Sequence, residues 1–179
     1  MALTHAILTA LLDDDLTGYQ LAKEFDVSLG FFWSASHQQI YQSLKRLSSD
    51  AFIEAREVTQ TGKPDKRIYS LTQLGRDHLD SWVLGETKKR RTTDELFVKL
   101  YNLGHSSTAP IVEAVEQRQH SHREKLMLYR KIQARNYAEP SELPNHKKGV
   151  YLALLAGIHQ EQSSLAWCDE ALVLLATVD

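Results

Sequence analysis

Four side chains able to donate and accept hydrogen bonds fall within six positions: His37, Gln38, Gln39 and Gln42. A glutamine amide holds a donor beside an acceptor, the pattern that matches the exposed edge of adenine. Tyr41, Lys45 and Arg46 lie among them and supply a hydroxyl and two cations suited to phosphate oxygens. The set is carried on Ser36-His-Gln-Gln-Ile-Tyr-Gln-Ser-Leu-Lys-Arg-Leu47. Ser36 and Gln39 have the spacing of a capping box. Ile40, Leu44 and Leu47 recur at i, i+4 and i+7, which predicts a helix with one apolar face and the polar set opposite. Gln39 has a competing job in the cap, so Gln38 and Gln42 are the stronger candidates for pairing with bases, with His37 at the helix start.

Other elements must position that helix. Leu3, Ile7 and Leu11 predict a first helix over 2–12, and Asp13-Asp14-Asp15 suits the loop after it, because negative charge opposes a helix C-terminus. Thr17-Gly-Tyr-Gln20 is a second capping box. It opens a helix to about Phe25 that buries Leu21, Ala22 and Phe25. Phe31-Phe32-Trp33 reads as core packing in the connection that follows. After Leu47, Ser48-Ser49-Asp50 predicts a stop. Phe52–Val58 alternates as a strand does, Thr59–Asp65 has the turn residues Gly62 and Pro64, and Ile68–Leu71 returns. Thr72 caps a further helix carrying Leu74, Leu79, Trp82 and Val83.

Three helices, a hairpin and a helix make a winged helix-turn-helix, whose third helix enters the major groove while the hairpin meets phosphates or the minor groove. On that fold, base contacts fall to His37, Gln38, Gln39 and Gln42. Phosphate contacts fall to Tyr41, Lys45, Lys63, Lys66 and Arg67, and in second rank to Tyr19, Lys23 and Arg46. Charge supports the assignment locally. Residues 1–85 are net acidic, with 8 Lys and Arg against 11 Asp and Glu, yet 36–72 hold 6 basic side chains against 4 acidic ones.

Residues 86–92 read as a basic linker through Lys88-Lys-Arg-Arg91, and 93–179 as a helical domain. Thr92-Thr-Asp-Glu95 predicts a capped short helix with Leu96, Phe97, Leu100, Tyr101 and Leu103, ending near Gly104. Pro110 suits the first turn of a long helix to about Tyr137, polar nearly all round over Glu116–Lys125. Asn136–Lys147 reads as a loop, with Pro140 and Pro144. A last helix, 146–176, repeats every seven residues at Tyr151, Leu154, Ile158, Glu161, Leu165, Cys168, Leu172 and Leu175. That is a coiled-coil seam. Leu152, Leu155, Trp167 and Leu174 lie off it, so more than one face needs covering. The expectation is a two-fold homodimer through Tyr151, Leu154, Ile158, Leu165, Leu172 and Leu175. The fold class is thus mainly α with a small β wing: a DNA-binding domain over 1–85 and a helical dimerisation domain over 93–179.

These residues resemble the PadR family of bacterial transcriptional regulators. The resemblance runs through Thr17-Gly-Tyr19, Ser36–Leu44, Gly62-Lys-Pro-Asp-Lys-Arg67, Tyr69-Ser-Leu-Thr72 and Gly75, and Asp94–Leu100 matches the start of the family's C-terminal region. Where many members have Ser-Pro-Gly-Thr-Leu-Tyr, this chain has Ser36-His-Gln-Gln-Ile-Tyr41. That departure, with Phe32-Trp-Ser-Ala-Ser-His-Gln-Gln39, resembles the AphA-like branch. The resemblance implies a homodimer reading a two-fold operator, and in some members a small hydrophobic or phenolic effector; Trp82, Trp167 and the tyrosines are the aromatic candidates to line a pocket for one.

Rival functions find less support. His120 and His122 do not share a helix face, and no Cys or carboxylate pair completes a metal set, so neither metal nor cofactor is expected. Without a phosphate loop or nucleophile elbow, no catalysis is expected either. A helical adaptor using the winged helix only for protein contacts is the remaining alternative, and the basic wing argues against it. The N-terminus lacks a signal-type basic and apolar run, Val150–Ile158 is too short to span a bilayer, and the single Cys168 excludes an internal disulfide. A cytoplasmic protein, on the nucleoid when bound to DNA, is the expectation.

Overall fold

The structure, a computed structural model, describes residues 2–27, 35–59, 65–87 and 93–178. The chain divides into two compact units, Met1–Lys88 and Lys89–Asp179.

The first unit contains α1 (Ala2–Ala10), β1 (Leu16–Thr17), α2 (Gly18–Val27), α3 (His37–Ser49), β2 (Ile53–Val58), β3 (Lys66–Leu71) and α4 (Gln73–Val83). Its core collects the apolar stripe of each helix: Ile7, Leu8 and Leu11; Leu21, Ala22 and Phe25; Ile40, Leu44 and Leu47; and Leu79. Each fully buried Leu or Ile contributes roughly 1.5–3 kcal/mol. Ile53 and Tyr69 join this core from the hairpin.

The sheet is antiparallel in the order β1-β3-β2. The sequence did not reveal β1, because two residues carry no alternation. Leu16 and Thr17 pair with Tyr69 and Ile68, which ties the start of α2 to the wing. β3 begins at Lys66, two residues before the expected Ile68.

The predicted stop after α3 comes slightly late. Ser48 and Ser49 stay helical, Asp50 caps the end, and Ala51 takes the left-handed conformation at φ 57. The corner that follows is gripped by α4. Thr72 N–H donates to the Phe52 carbonyl at 3.1 Å, and the Thr72 hydroxyl donates to the Ala51 carbonyl at 2.8 Å. The same hydroxyl accepts from Gly75 N–H at 3.0 Å, capping α4. A Cβ on Gly75 would lie 2.1 Å from the Phe52 carbonyl oxygen, so only glycine fits there.

The second unit contains α5 (Glu95–Leu100), α6 (Ala109–Asn136), a 3-10 turn (Pro140–Glu142) within the predicted loop, and α7 (Asn145–Leu175). The cap of α5 is Asp94, whose carboxylate accepts from Leu96 N–H at 3.0 Å. Thr92, which the sequence offered for that role, lies outside the described residues. Arg118 grips Asp94 with two bonds of 2.5 and 3.0 Å. These bonds hold the Asp94 carboxyl below the usual carboxylate range and lift the Arg118 guanidinium. Pro110 sits in the first turn of α6 as expected.

Three side chains from the polar middle of α6 reach other elements. Besides Arg118–Asp94, Gln119 donates to Asp169 at 2.5 Å, and His122 contacts Glu161. Nearer the hairpin end, Gln133 donates to the Tyr151 hydroxyl at 3.2 Å. Leu96, Ile111, Val115, Cys168 and Leu175 form this unit's core. Burial pushes the Cys168 thiol up, which suits an inert packing role.

The coiled-coil seam of α7 does not lie open for a second chain. Leu154, Ile158, Glu161, Cys168 and Leu175 are buried within the single chain, and Leu165 and Leu172 are partly buried. With Tyr151 bonded to Gln133, α6 occupies the seam assigned to self-association. A heptad pattern demands a partner helix without saying which chain supplies it. Among the described residues, no helix is long and apolar enough to cross a membrane.

Candidate nucleic-acid interface

At about 100° per residue, the burial of Ile40, Leu44 and Leu47 dictates which side of α3 faces out. All three are 0% exposed. Gln38, Gln42 and Lys45 form the opposite stripe and are exposed. His37 is exposed at the first turn.

Both halves of the capping box form. Gln39 N–H donates to Ser36 Oγ at 3.3 Å, and Ser36 N–H donates to Gln39 Oε1 at 2.9 Å. The acceptor of Gln39 is therefore engaged at the helix end, while bidentate pairing with a base needs both atoms of the amide.

A cleft flanks α3 on each side. Towards α1, a cleft of about 320 Å³ is lined by Leu3, Thr4, Gln39, Gln42, Ser43 and Arg46. Towards α2 and the wing, a cleft of about 280 Å³ gathers Tyr19, Tyr41, Lys66 and Arg67, all four expected to meet phosphate. Thr17, Gly18, Asp65 and Tyr69 complete its wall. The second cleft depends on close packing at Gly18, where a Cβ would come within 2.5 Å of Tyr41 Cε1. With no side chain there, the Tyr41 ring lies on the first turn of α2. Thr17 holds that turn, donating its N–H to Gln20 Oε1 at 2.9 Å and accepting Gln20 N–H at 3.2 Å.

The remaining expected residues are placed differently. Lys23 and Lys45 are exposed and line neither cleft. Arg46 stands 3.6 Å from Asp50, both exposed. Lys63 lies outside the described residues, as do Phe31–Trp33 and the basic run Lys88–Arg91. Arg67 is not a free cation: it pairs with Glu57 across the hairpin. That carboxylate, and then Tyr69, raise the guanidinium further above its already high value.

Sequence reasoning passed over Tyr69 and Arg56. Tyr69 read as a strand residue, and only the pairing of β1 with β3 sets it opposite Leu16 and in one cleft wall with Thr17. Arg56 is exposed on β2, and strand alternation puts it on the opposite face from Glu57 and Arg67.

The arrangement can do two things at once. A helix with its side chains is about 10–12 Å across and fits a groove about 12 Å wide. Amides and an ammonium on its outer stripe can bond to base edges while the flanking clefts offer hydroxyls and cations to phosphate oxygens.

Residues 7–81 match the transcriptional regulator PadR-like family, and residues 92–176 match the virulence activator alpha C-terminal family. A probable transcriptional regulator of Mycobacterium tuberculosis is 37% identical over 95% of both chains. The negative transcriptional regulator PadR of Bacillus subtilis is 31% identical over 97% of both. The crystal structure of that PadR with operator DNA has a TM-score of 0.81, at 28% identity, over 98% of this chain and 99% of its own. PadR has also been solved with p-coumaric acid, with a TM-score of 0.77 at the same identity and coverage. The virulence activator AphA of Vibrio cholerae has a TM-score of 0.82, at 32% identity, over 97% of this chain and 98% of its own. With both units matched in one order, and relatives aligned from end to end, this chain belongs to the PadR-like family of transcriptional regulators, in its AphA-like branch.

Proposed function

We propose that the protein regulates transcription as a cytoplasmic homodimer, two copies of α3 reading the half-sites of a two-fold DNA operator. The observation that carries this is the outer stripe of α3, Gln38, Gln42 and Lys45, flanked by a cleft where Tyr19, Tyr41, Lys66 and Arg67 converge. In this assignment Gln38 and Gln42 pair with bases, with His37 beside them, and Gln39 holds the helix end. Tyr19, Tyr41, Lys66 and Arg67 take phosphate oxygens, joined by Lys23, Lys45, Arg46 and Lys63. Operator DNA bound to the PadR structure supports the same function here.

With the α7 seam filled by α6, the dimer contact falls to the apolar residues left outside. Met127 and Leu128 on α6 lie towards the same end of the hairpin as Val150 and Leu152 on α7. Phe97 and Val98 belong to α5, Tyr101 follows its end, and Val173 and Leu174 belong to the far end of α7. A two-fold axis between the two ends can set one group against the other twice.

An effector site is part of the proposal. Leu100, Leu103, Trp167, Ala171, Leu174 and Val178, with Glu170 among them, line a mostly apolar hollow of about 240 Å³, suited to one aromatic ring. The p-coumaric acid complex of PadR supports a small phenolic or hydrophobic ligand. Raised melting temperature with a phenolic acid panel, lost on Trp167→Ala, is the expected result.

The central test is selection of bound duplexes from a random library with the purified protein. A two-fold consensus with half-sites about one helical turn apart, 34–36 Å, is expected. Binding without any enriched sequence would overturn the base-reading role of α3. No binding at about 50 mM salt, where phosphate contacts are strong, would favour the adaptor alternative.

A further inference from the structure

We propose that Glu57 competes with DNA phosphate for Arg67, so that the wing holds one cation in reserve and thereby sets the strength and salt dependence of binding. The proposal rests on the DNA-binding function above. β2 and β3 pair with Glu57 directly opposite Arg67. Alternation puts both on the strand face that carries Ile53 and Tyr69, and those two are buried in the core. The pair therefore continues the core-side face of the hairpin outwards, where Arg67 lines the cleft with Tyr19 and Tyr41.

The guanidinium rests against the Glu57 carboxylate, and the side chains are 55% and 68% exposed. So exposed a pair is weak in water, and a phosphate oxygen can displace the carboxylate. The displacement still opposes binding, because Arg67 must leave one anion to meet another. Arg67 also meets the Tyr69 hydroxyl, and the other charges near the pair are Asp65 and Lys66 on the same cleft and Arg56 on the opposite strand face. Glu57 buries nothing and caps nothing, so its effect falls on whatever Arg67 binds.

Replacing Glu57 by glutamine keeps size and strand position while releasing Arg67. The test uses a fluorescein-labelled random-sequence duplex, titrated with the full-length protein at several salt concentrations. Four proteins are compared: wild type, Glu57→Gln, Arg67→Gln and the double variant, with melting curves run in parallel to establish that all four are folded. Glu57→Gln is expected to tighten binding about two- to fivefold and to steepen the slope of log K against log salt by up to about 0.9, one phosphate contact. Arg67→Gln is expected to weaken binding, and the double variant to bind as Arg67→Gln does, there being no guanidinium to release. Equal tightening by Glu57→Gln in both backgrounds would mean that the carboxylate acts by general repulsion, and would overturn the proposal. No change, or weaker binding, in Glu57→Gln would overturn it too. A wild-type protein that fails to bind the duplex at all fails in a separate way, by removing the DNA-binding function itself.

Discussion

Helices α3 and α7 each bury one stripe inside their own unit, and they differ in what is left over. The remainder of α3 is polar: Gln38, Gln42 and Lys45 face out with no apolar neighbour among them. The remainder of α7 carries large apolar side chains at its two ends, where Leu152 is 62% exposed and Leu174 68%, with polar His159, Gln160, Gln162 and Ser163 between them. A polar remainder suits a hydrated, charged partner, which amides and ammonium groups can bond without losing much on desolvation. An apolar remainder gains only when another apolar surface covers it. The kind of partner can thus be read from the residues that the fold does not use.

Substitutions on α7 can break this contrast most sharply. Leu154→Ala should cost about 2–5 kcal/mol, read by chemical denaturation, since the residue is fully buried between helices of its own chain. Leu152→Glu, two residues earlier, should leave the melting of the isolated chain nearly unchanged. It should instead shift sedimentation towards monomer at concentrations where the wild type is a dimer. Similar outcomes for the two would erase the distinction between inner and outer faces.

On α3 the corresponding test concerns selectivity. Gln42→Ala should lose about 1–3 kcal/mol of discrimination between the selected site and random duplex, by fluorescence anisotropy. Lys66→Ala should weaken both equally and flatten the salt slope by about one unit. If Gln42→Ala also weakened both equally, the outer stripe would be a phosphate contact and nothing more.

The smallest effect sharpens the account of the second unit. Asp94→Ala removes the cap of α5 and the grip on Arg118. A loss of about 0.5–2 kcal/mol at pH 7 is expected from urea denaturation. Because the folded carboxyl titrates below its ordinary value, its contribution is complete above the unfolded value of about 3.9 and is lost as pH falls through the lowered native one. The difference between variant and wild type should therefore hold from pH 5 to 7 and shrink below about pH 4.

Much of the first unit was open to sequence reasoning because its signals are local. Ser36 with Gln39 and Thr17 with Gln20 each announce a helix start, and both boxes form. Ile40, Leu44 and Leu47 name the buried side of α3 without reference to any other element. What escaped depends on pairing. β1 exists only because Leu16 and Thr17 meet β3, and the Glu57–Arg67 pair only because the hairpin register sets those residues opposite each other. The α7 seam was visible, but its occupant was not. α6 is polar over the stretch facing Glu161, where it meets α7 through Gln119 and His122, and its apolar contacts, Val115 in the core with Cys168 and Tyr129 against Gly157, lie on either side of that stretch. Ala51 gave no warning of its left-handed turn either, since that conformation favours glycine.

The missing side chain at Gly75 has a mechanical consequence. With the Phe52 carbonyl held directly against the start of α4, the end of α3, the root of the wing and α4 move as one part. The distance from Gln42 to the base of the hairpin is then a fixed gauge. On the function proposed here, the protein does not adjust that distance to suit each duplex. The duplex must adjust, and sequences that bend or narrow easily between the points touched by α3 and by the wing gain affinity at base pairs no side chain reaches.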